Sequence, residues 1–510
     1  MFKGNGFLKT LAGASVLITI FNAGGKGIGF LRELVFASSF GVNQDLDIYF
    51  VSTLFPVMIS TSFYYIAQNY YIPSFSRVNA GNPAEAKSYY KTALIKSGLL
   101  SIITAAILIL FSELVLDAFL GEISTKKFDL AEKLFLIYTL TLPLSFVLSI
   151  IISWEYFNNR YLHSLISQIW PNLLIILFVL FASGSFGVYT IAYGYLSGIV
   201  LQFLHLIFIT RKDLREKSII AKMSFARVRL IPAFIVVVLI EIVGQFNPLV
   251  DRAFFTQIKE GSISALNYAN NLMLLPVSMI AMAFSTALFP RVADYFAKQD
   301  FDALRNKLGQ SIELITFLIL PLVLLFLIFP YEIVNTVYIN SSFSTDDLEM
   351  VSSSFFILIL SLIFYSVYAV FSKFLYGING AFALLLINIS ALLIKLAVNY
   401  FFIHEYNYLT LAISTSVSYV FLFGASLILI YKRIGGISNF QLVNIIKIVA
   451  SLSITGGLGM LLAQWLPLSS LYLKLGFLIL LLLVYFLFAR LFKLRIVKLV
   501  FNKDLVNAAN

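Results

Sequence analysis

Nine ionisable side chains lie inside long apolar runs of this sequence: Lys26, Arg32, Glu33, Glu241, Asp251, Arg252, Lys373, Lys395 and Lys447. Each costs about 2.5–3.5 kcal/mol at the centre of an inserted helix, so such groups face a bundle interior or water. Lys447 reads as an interfacial side chain that snorkels. The others leave five cations against three anions. An interior with surplus positive charge suits an anionic headgroup better than a metal ion or a cationic drug. Lys26 and Arg32 are six residues apart, about 120° off a common helix face. The nearby Gly24, Gly25, Gly27 and Gly29 permit a bend or a close helix approach that would bring both cations onto one cavity. The structural alternative pairs Arg32 with Glu33 or Asp47. Lys395 shares its helix with Asn388 and Asn399 and is expected to face the lumen; Lys373 sits close enough to a helix end to line the cavity or to snorkel.

Positioning these groups falls to a repeated element. Arg32, Gly41 and Pro56 recur as Arg252, Gly261 and Pro276, displaced by 220 residues, within FLRELVFASSFGVNQDLDIYFVSTLFPVMIS and LVDRAFFTQIKEGSISALNYANNLMLLPVSMI. Each copy reads as a long apolar helix ending near an arginine, a short polar loop, then a proline-bearing apolar helix. Pro56 and Pro276, with Pro73 and Pro290 further on, read as kinks that let a gate bend. Asp251 and Arg252 are adjacent and so point in different directions. Across a pseudo-twofold axis Arg252 would meet Glu33 and Asp251 would meet Arg32. In that arrangement the arginines latch helix ends instead of holding substrate, and both roles remain open.

The 510 residues are 60% hydrophobic and 12% charged, with a mean hydropathy of +0.93. A soluble domain carries roughly 25% charged residues. Apolar runs of about 20 residues match the ~30 Å hydrocarbon core, and they recur along the whole chain. The first run passes into the repeated segment without a signal-peptide cleavage pattern. The sequence predicts an all-α polytopic membrane protein of about fourteen transmembrane helices, the first at 8–38 and the last at 472–492. Lys and Arg concentrate in alternate loops, among them 211–229 with seven basic and two acidic residues. By the positive-inside rule these loops and both termini are cytoplasmic. The +11 net charge therefore reflects topology and not nucleic-acid binding. Residues 1–210 form an N-terminal lobe of six spans, 211–229 a basic linker, 230–433 a C-terminal lobe of six, and 434–510 two further spans with a basic tail. Six is even, so the repeat is parallel, about an axis along the membrane normal.

With no cysteine and three histidines, thiol chemistry is excluded and a histidine metal cluster is not expected. No Walker loop, Gly-x-Ser-x-Gly or HExxH motif is present, and no cofactor is expected. Transport would be driven by a Na+ or H+ gradient, the membrane potential or the substrate gradient. Glu155 and Arg160 flank a cytoplasmic helix end and read as interfacial.

The segments GKGIGFLRELVFASSFG, LDIYFVSTLFP and YYIPSF, with LVDRAFFTQIKEGSISALNYANNLMLLPVSMIAMAFSTALFPRVADYFAKQD, resemble the MurJ/MviN family of the MOP flippase superfamily over nearly the whole chain. The resemblance implies an alternating-access flippase for undecaprenyl-pyrophosphate-linked saccharides, with cavity cations for the pyrophosphate and a tail groove at the last two spans. Lys26 and Arg32 stand at the family's two basic positions of the first span, lysine replacing arginine at the first, which loses bidentate phosphate recognition. Asp47 matches the acidic residue opening the second span. The family's second-span arginine falls at Ser60 or Thr61, its nearby glutamate at about Tyr65, and its eighth-span arginine at Asn271. With two cations absent, Lys395 or Lys373 would supply the missing charge. The expected substrate is a polyprenyl-diphosphate-linked saccharide for the cell surface or peptidoglycan, moved to the outer leaflet of a bacterial inner membrane by a monomer, with glycan-assembly enzymes as candidate partners. The alternatives are lipid II proper, a cation-coupled MATE-like exporter, whose cavity would need carboxylates in place of cations, and a non-transporting membrane scaffold.

Overall fold

A computed structural model describes residues 11–215, 232–338, 342–436, 439–465 and 471–494, and every long regular element among them is helical. Lipid leaves backbone polar groups no water to bond, so helices satisfy them internally. The chain runs through α1 (Leu11–Phe40), α2 (Gln44–Ser52), α3 (Leu54–Gly81), α4 (Pro83–Leu110), α5 (Ser112–Leu120), α6 (Thr125–Thr139), α7 (Leu142–Phe157), α8 (Tyr161–Ser167), α9 (Ile169–Phe186) and α10 (Tyr189–Arg215). It continues with α11 (Pro232–Arg252), α12 (Ser262–Pro276), α13 (Met282–Ala297), α14 (Phe301–Ile328), α15 (Pro330–Val337), α16 (Thr345–Gly377), α17 (Ala381–Tyr406) and α18 (Leu409–Ile434). Two more helices follow, α19 (Asn439–Trp465) and α20 (Leu471–Leu491). Most of the basic linker, from residue 216 onward, and the basic tail beyond residue 494 lie outside the described residues.

Among the described residues nine helical runs are long and apolar enough to cross a bilayer, or ten with the bent pair α2–α3 taken as one span. The sequence predicts fourteen. α1, α11, the broken α12–α13 and α20 occupy the other expected positions without meeting that standard. The first carries Lys26, Arg32 and Glu33, the second Glu241, Asp251 and Arg252. The repeat extends to two short helices that apolar run length did not reveal: α5 follows α4 as α15 follows α14.

Proline interrupts the second span of each half differently. α2 and α3 meet at a 41° bend. Pro56 has no N–H to offer the Ser52 carbonyl, and at the break Thr53 Oγ1 donates to the Tyr49 carbonyl at 2.7 Å. In the second copy α12 ends at Pro276, and a π-helical turn, Val277–Ala281, joins it to α13. Pro73 lies within α3 without interrupting it.

Packing divides the chain into two compact units. One comprises Met1–Asn271, Asn335–Val351 and Leu396–Leu411; the other comprises Leu272–Val334, Ser352–Lys395 and Ala412–Asn510. The first unit has a core of Phe75, Tyr90, Ile151, Trp154 and Leu206, drawn from α3, α4, α7 and α10. Its α9–α10 contact is set by Gly194 and Gly198. A Cβ there would lie 2.6 Å from the Ile175 Cα and 2.4 Å from the Pro171 Cα, so the pair allows backbones to touch as small-xxx-small motifs do. In the second unit α14 packs on α19 and α20 through Phe317, Ile448, Tyr485 and Leu481.

Candidate functional site

The first unit contains Arg32, Gly41, Arg252 and Gly261 of the repeat. α1 finishes at Phe40, and Gly41 turns the chain with φ +68°. Its Cβ position is closed by the Ser342 carbonyl, 2.9 Å away. Ser342 then satisfies the end of α1: its N–H donates to the Ala37 carbonyl at 3.0 Å and its Oγ to the Ser38 carbonyl at 2.6 Å. The matching Gly261, φ +83°, has its Cβ position filled by Val42 Cγ1 at 2.6 Å. Gly41 therefore seats against the Ser342 backbone and Gly261 against the Val42 side chain, each where a Cβ would not fit.

Asp47 ties these turns together. It lies in the first turn of α2, 1% exposed, and accepts a 2.7 Å hydrogen bond from the Ser264 N–H, 217 residues away. Ser264 is the third residue of α12, so the carboxylate caps the positive end of a helix from another part of the chain. Tyr268, one turn further along α12, donates to the Gly41 carbonyl at 3.1 Å, and Tyr338 donates to the Tyr268 carbonyl at 3.1 Å.

Arg32 and Glu33 lie two turns back along α1. Arg32 Nη2 donates to Glu33 Oε1 at 2.5 Å, Arg32 Nη1 to Asn172 Oδ1 of α9 at 3.0 Å, and Asn267 Nδ2 of α12 to Glu33 Oε2 at 2.9 Å. The guanidinium also sits 5.5 Å from the Phe36 ring centroid. Both Glu33 oxygens are thus engaged by Arg32 and Asn267. The pairing expected between Glu33 and Arg252 gives way to the structural alternative. Arg252 instead lies over the Phe50 ring, 5.9 Å from its centroid, and Asp251 beside it is buried. Glu33 is 4% exposed at its side chain and Arg32 is 31% exposed, so the cation keeps an open face while its counter-ion does not.

The lysines separate by accessibility. Lys26 is exposed, and Gly24, Gly25, Gly27 and Gly29 have nothing within 4 Å of a Cβ position. Among the described residues no helix approaches these glycines closely, and that stretch of α1 borders open space. In the second unit Lys373 is half-buried, with Nζ 5.4 Å from the Tyr376 ring centroid. Lys395 is 3% exposed, so in this conformation it presents almost no surface to a ligand. One turn on, Asn399 is fully buried with neither amide atom hydrogen-bonded.

Asn172, Asn267, Ser264, Tyr268 and Ser342 are partners that the sequence reading missed. Asn267 stands in the LNYA stretch of the second repeat and Asn172 directly follows Pro171; an uncharged amide carries little insertion penalty and gives no signal by itself. Glu155, expected at the interface, is fully buried, while Arg160 is half-exposed and bonds Asp213 at 2.8 Å.

The family model described as "Lipid II flippase MurJ" matches residues 36–487. A probable lipid II flippase MurJ from Borreliella burgdorferi is 24% identical over 435 residues, covering 82% of this chain and 83% of the relative. The lipid II flippase MurJ of Thermosipho africanus is 24% identical over 375 residues, covering 72% and 74%. A solved lipid II flippase MurJ in an inward closed conformation superposes with a TM-score of 0.80 at 22% identity, over 94% of this chain and 98% of that one. A multidrug resistance MATE family transporter of the MOP superfamily, inward-facing, superposes with a TM-score of 0.64 at 13% identity, over 80% and 94%.

Proposed function

We propose that this chain, which belongs to the lipid II flippase MurJ family by its match over residues 36–487, moves lipid II, a polyprenyl-diphosphate-linked peptidoglycan precursor, across a bacterial inner membrane. The family match carries the reading. The comparisons favour lipid II over the other lipid-linked glycans that the missing cations at Ser60 or Thr61 and Asn271 suggest. The chain acts as a transporter and not as a catalyst.

Alternating access supplies the mechanism. Lys26, exposed beside a stretch of α1 bordered by open space, and Arg32, held by Glu33 and Asn172 with one face free, provide the cations for a diphosphate. Arg32 is pre-oriented, so little rotamer freedom is lost when phosphate oxygens reach it. Asp47 on the α12 N-terminus and Ser342 on the α1 C-terminus bind these helix ends together. In this reading they form the outer gate, with both termini cytoplasmic. Passage of the headgroup requires those bonds to break and re-form, driven by an ion gradient or the membrane potential.

Complementation tests the substrate. Expression during depletion of a host's lipid II flippase is expected to restore growth. Rescue of an O-antigen flippase mutant alone would remove lipid II and leave the other-glycan reading, which the missing cations favour. A Lys26→Ala chain that flips normally would remove the cation cavity from the mechanism.

A further inference from the structure

Far along the first unit from the gate residues in sequence, two carboxylates share one arginine. α7 ends in a left-handed turn at Asn159, φ 56°, and the Arg160 N–H donates to the Glu155 carbonyl at 2.8 Å. This helix-end motif holds Arg160 next to Glu155, five residues back. Arg160 Nη1 donates to Asp213 Oδ2 of α10 at 2.8 Å and reaches Glu155 Oε1 at 3.5 Å. Trp154 Nε1 donates to the same Asp213 oxygen at 3.3 Å. Glu155 is 0% exposed, and its Oε2 is buried without a hydrogen-bond partner. Among the described residues, the charged or titratable groups facing it are Arg160, Asp213 and Tyr90 of α4. Around them are the Trp154 ring, stacked on Tyr90 at 4.6 Å, and Phe75 of α3. Among the described residues one guanidinium stands against two carboxylates, and its short contact belongs to Asp213. A second ionised carboxylate with a bare oxygen in such surroundings would lack compensation.

We propose that Glu155 is a proton-binding site, and that its proton sets how Arg160 divides between Asp213 and Glu155. With the proton on Glu155, Arg160 pairs closely with Asp213 at 2.8 Å and keeps only the longer 3.5 Å contact to Glu155. When the proton leaves to solvent past the exposed side of Arg160, the new carboxylate draws the guanidinium toward α7. Asp213 loosens, and the Trp154 bond to it changes. The site is thus a proton-sensitive joint between the ends of α7 and α10. It goes beyond substrate movement, and only the coupling of this proton to flipping rests on the flippase reading.

Trp154 is the built-in reporter. In a W170F/W465F background, reconstituted in vesicles without substrate, Trp154 emission is expected to follow a single transition with pH. E155Q is expected to abolish the transition and hold emission at the parent's low-pH level, with its thermal midpoint unchanged. An undiminished transition in E155Q would overturn the proposal. D213N is expected to move the transition to lower pH, because Arg160 then turns to Glu155 and favours its charged form; an unmoved midpoint would refute the sharing. Infrared difference spectra of the parent and E155Q give an independent reading. Because Asp47 is also a buried carboxyl, the Glu155 band is the buried carboxylic-acid carbonyl signal that disappears as pH rises in the parent and is missing from E155Q. No band lost between the two would likewise overturn the proposal. None of these readouts involves transport, so their failure is separate from failure of the flippase reading.

Discussion

Replacing Asp47 should open the end of the first unit that the duplicated glycine turns hold together. Its carboxylate is buried and accepts the Ser264 N–H at 2.7 Å on the first turn of α12. A hydrogen bond to a charged group contributes about 1.5–3 kcal/mol. The helix-terminus attraction overlaps with it and adds up to ~2 kcal/mol in partly buried geometry. Asp47→Ala should therefore cost the bound arrangement about 2–3 kcal/mol, a shift of roughly 30–150-fold in the ratio of parted to bound ends. Asp47→Asn keeps an acceptor and loses only the charge, so about 1 kcal/mol and a ~5-fold shift are expected. The chain contains no cysteine, so Ser264→Cys introduces a single thiol at a fully buried position that keeps the backbone donor. Labelling of that thiol by a membrane-impermeant maleimide from outside intact cells should accelerate in the order parent, Asp47→Asn, Asp47→Ala. Equal rates in parent and Asp47→Ala, with both proteins folded by size-exclusion profile, would refute the capping argument.

Three further outcomes follow from the same geometry. Arg32→Ala should abolish flipping and, by leaving Glu33 buried beside only Asn267, lower stability by about 3–5 kcal/mol; Arg32→Lys should retain part of both, as thermal-shift and flipping assays can show. Gly198→Ala should lower the thermal midpoint through about 1–3 kcal/mol of overpacking against the Pro171 backbone, whereas Gly424→Ala, with open space at its Cβ position, should leave it unchanged or slightly higher. Lys26→Ala should reduce flipping at least tenfold with little change in stability, because Lys26 is exposed; an unchanged flipping rate would show that diphosphate recognition lies elsewhere.

Residues with a large cost of misplacement were the ones legible in the sequence. Arg32, Glu33, Asp47 and Asp251 announce themselves because a charge in an apolar run needs a reason. Gly41, Gly261, Pro56 and Pro276 announce the turns and breaks because few residue types serve there. Partner choice was not legible. Glu33 is satisfied by its own neighbour and by Asn267, and that depends on how α12 packs, which no local pattern encodes. The form of the second break was also hidden: the same proline gives a bend after α2 and a π-helical turn after α12. Glu155 was misplaced for a related reason. Five residues from an arginine at a helix end it resembles an interfacial pair, and only the packing of Tyr90 and Trp154 over it makes it interior. Lys395 shows the converse, since its position mid-span was evident while its near-complete burial was not.

The serine that finishes α1 carries a consequence for biogenesis. Ser342 lies 304 residues beyond its partner Ser38. At about 5–20 residues per second of synthesis, roughly 15–60 s separate the emergence of the two. During that interval the last carbonyls of the first helix have no Ser342 to accept from, and Asp47 waits for Ser264 across 217 residues. The N-terminal helices therefore insert well before their terminal partners exist. A ribosome stalled short of residue 342 would leave α1 frayed at its end and open to quality-control proteases, even with all of the first six spans already in the membrane.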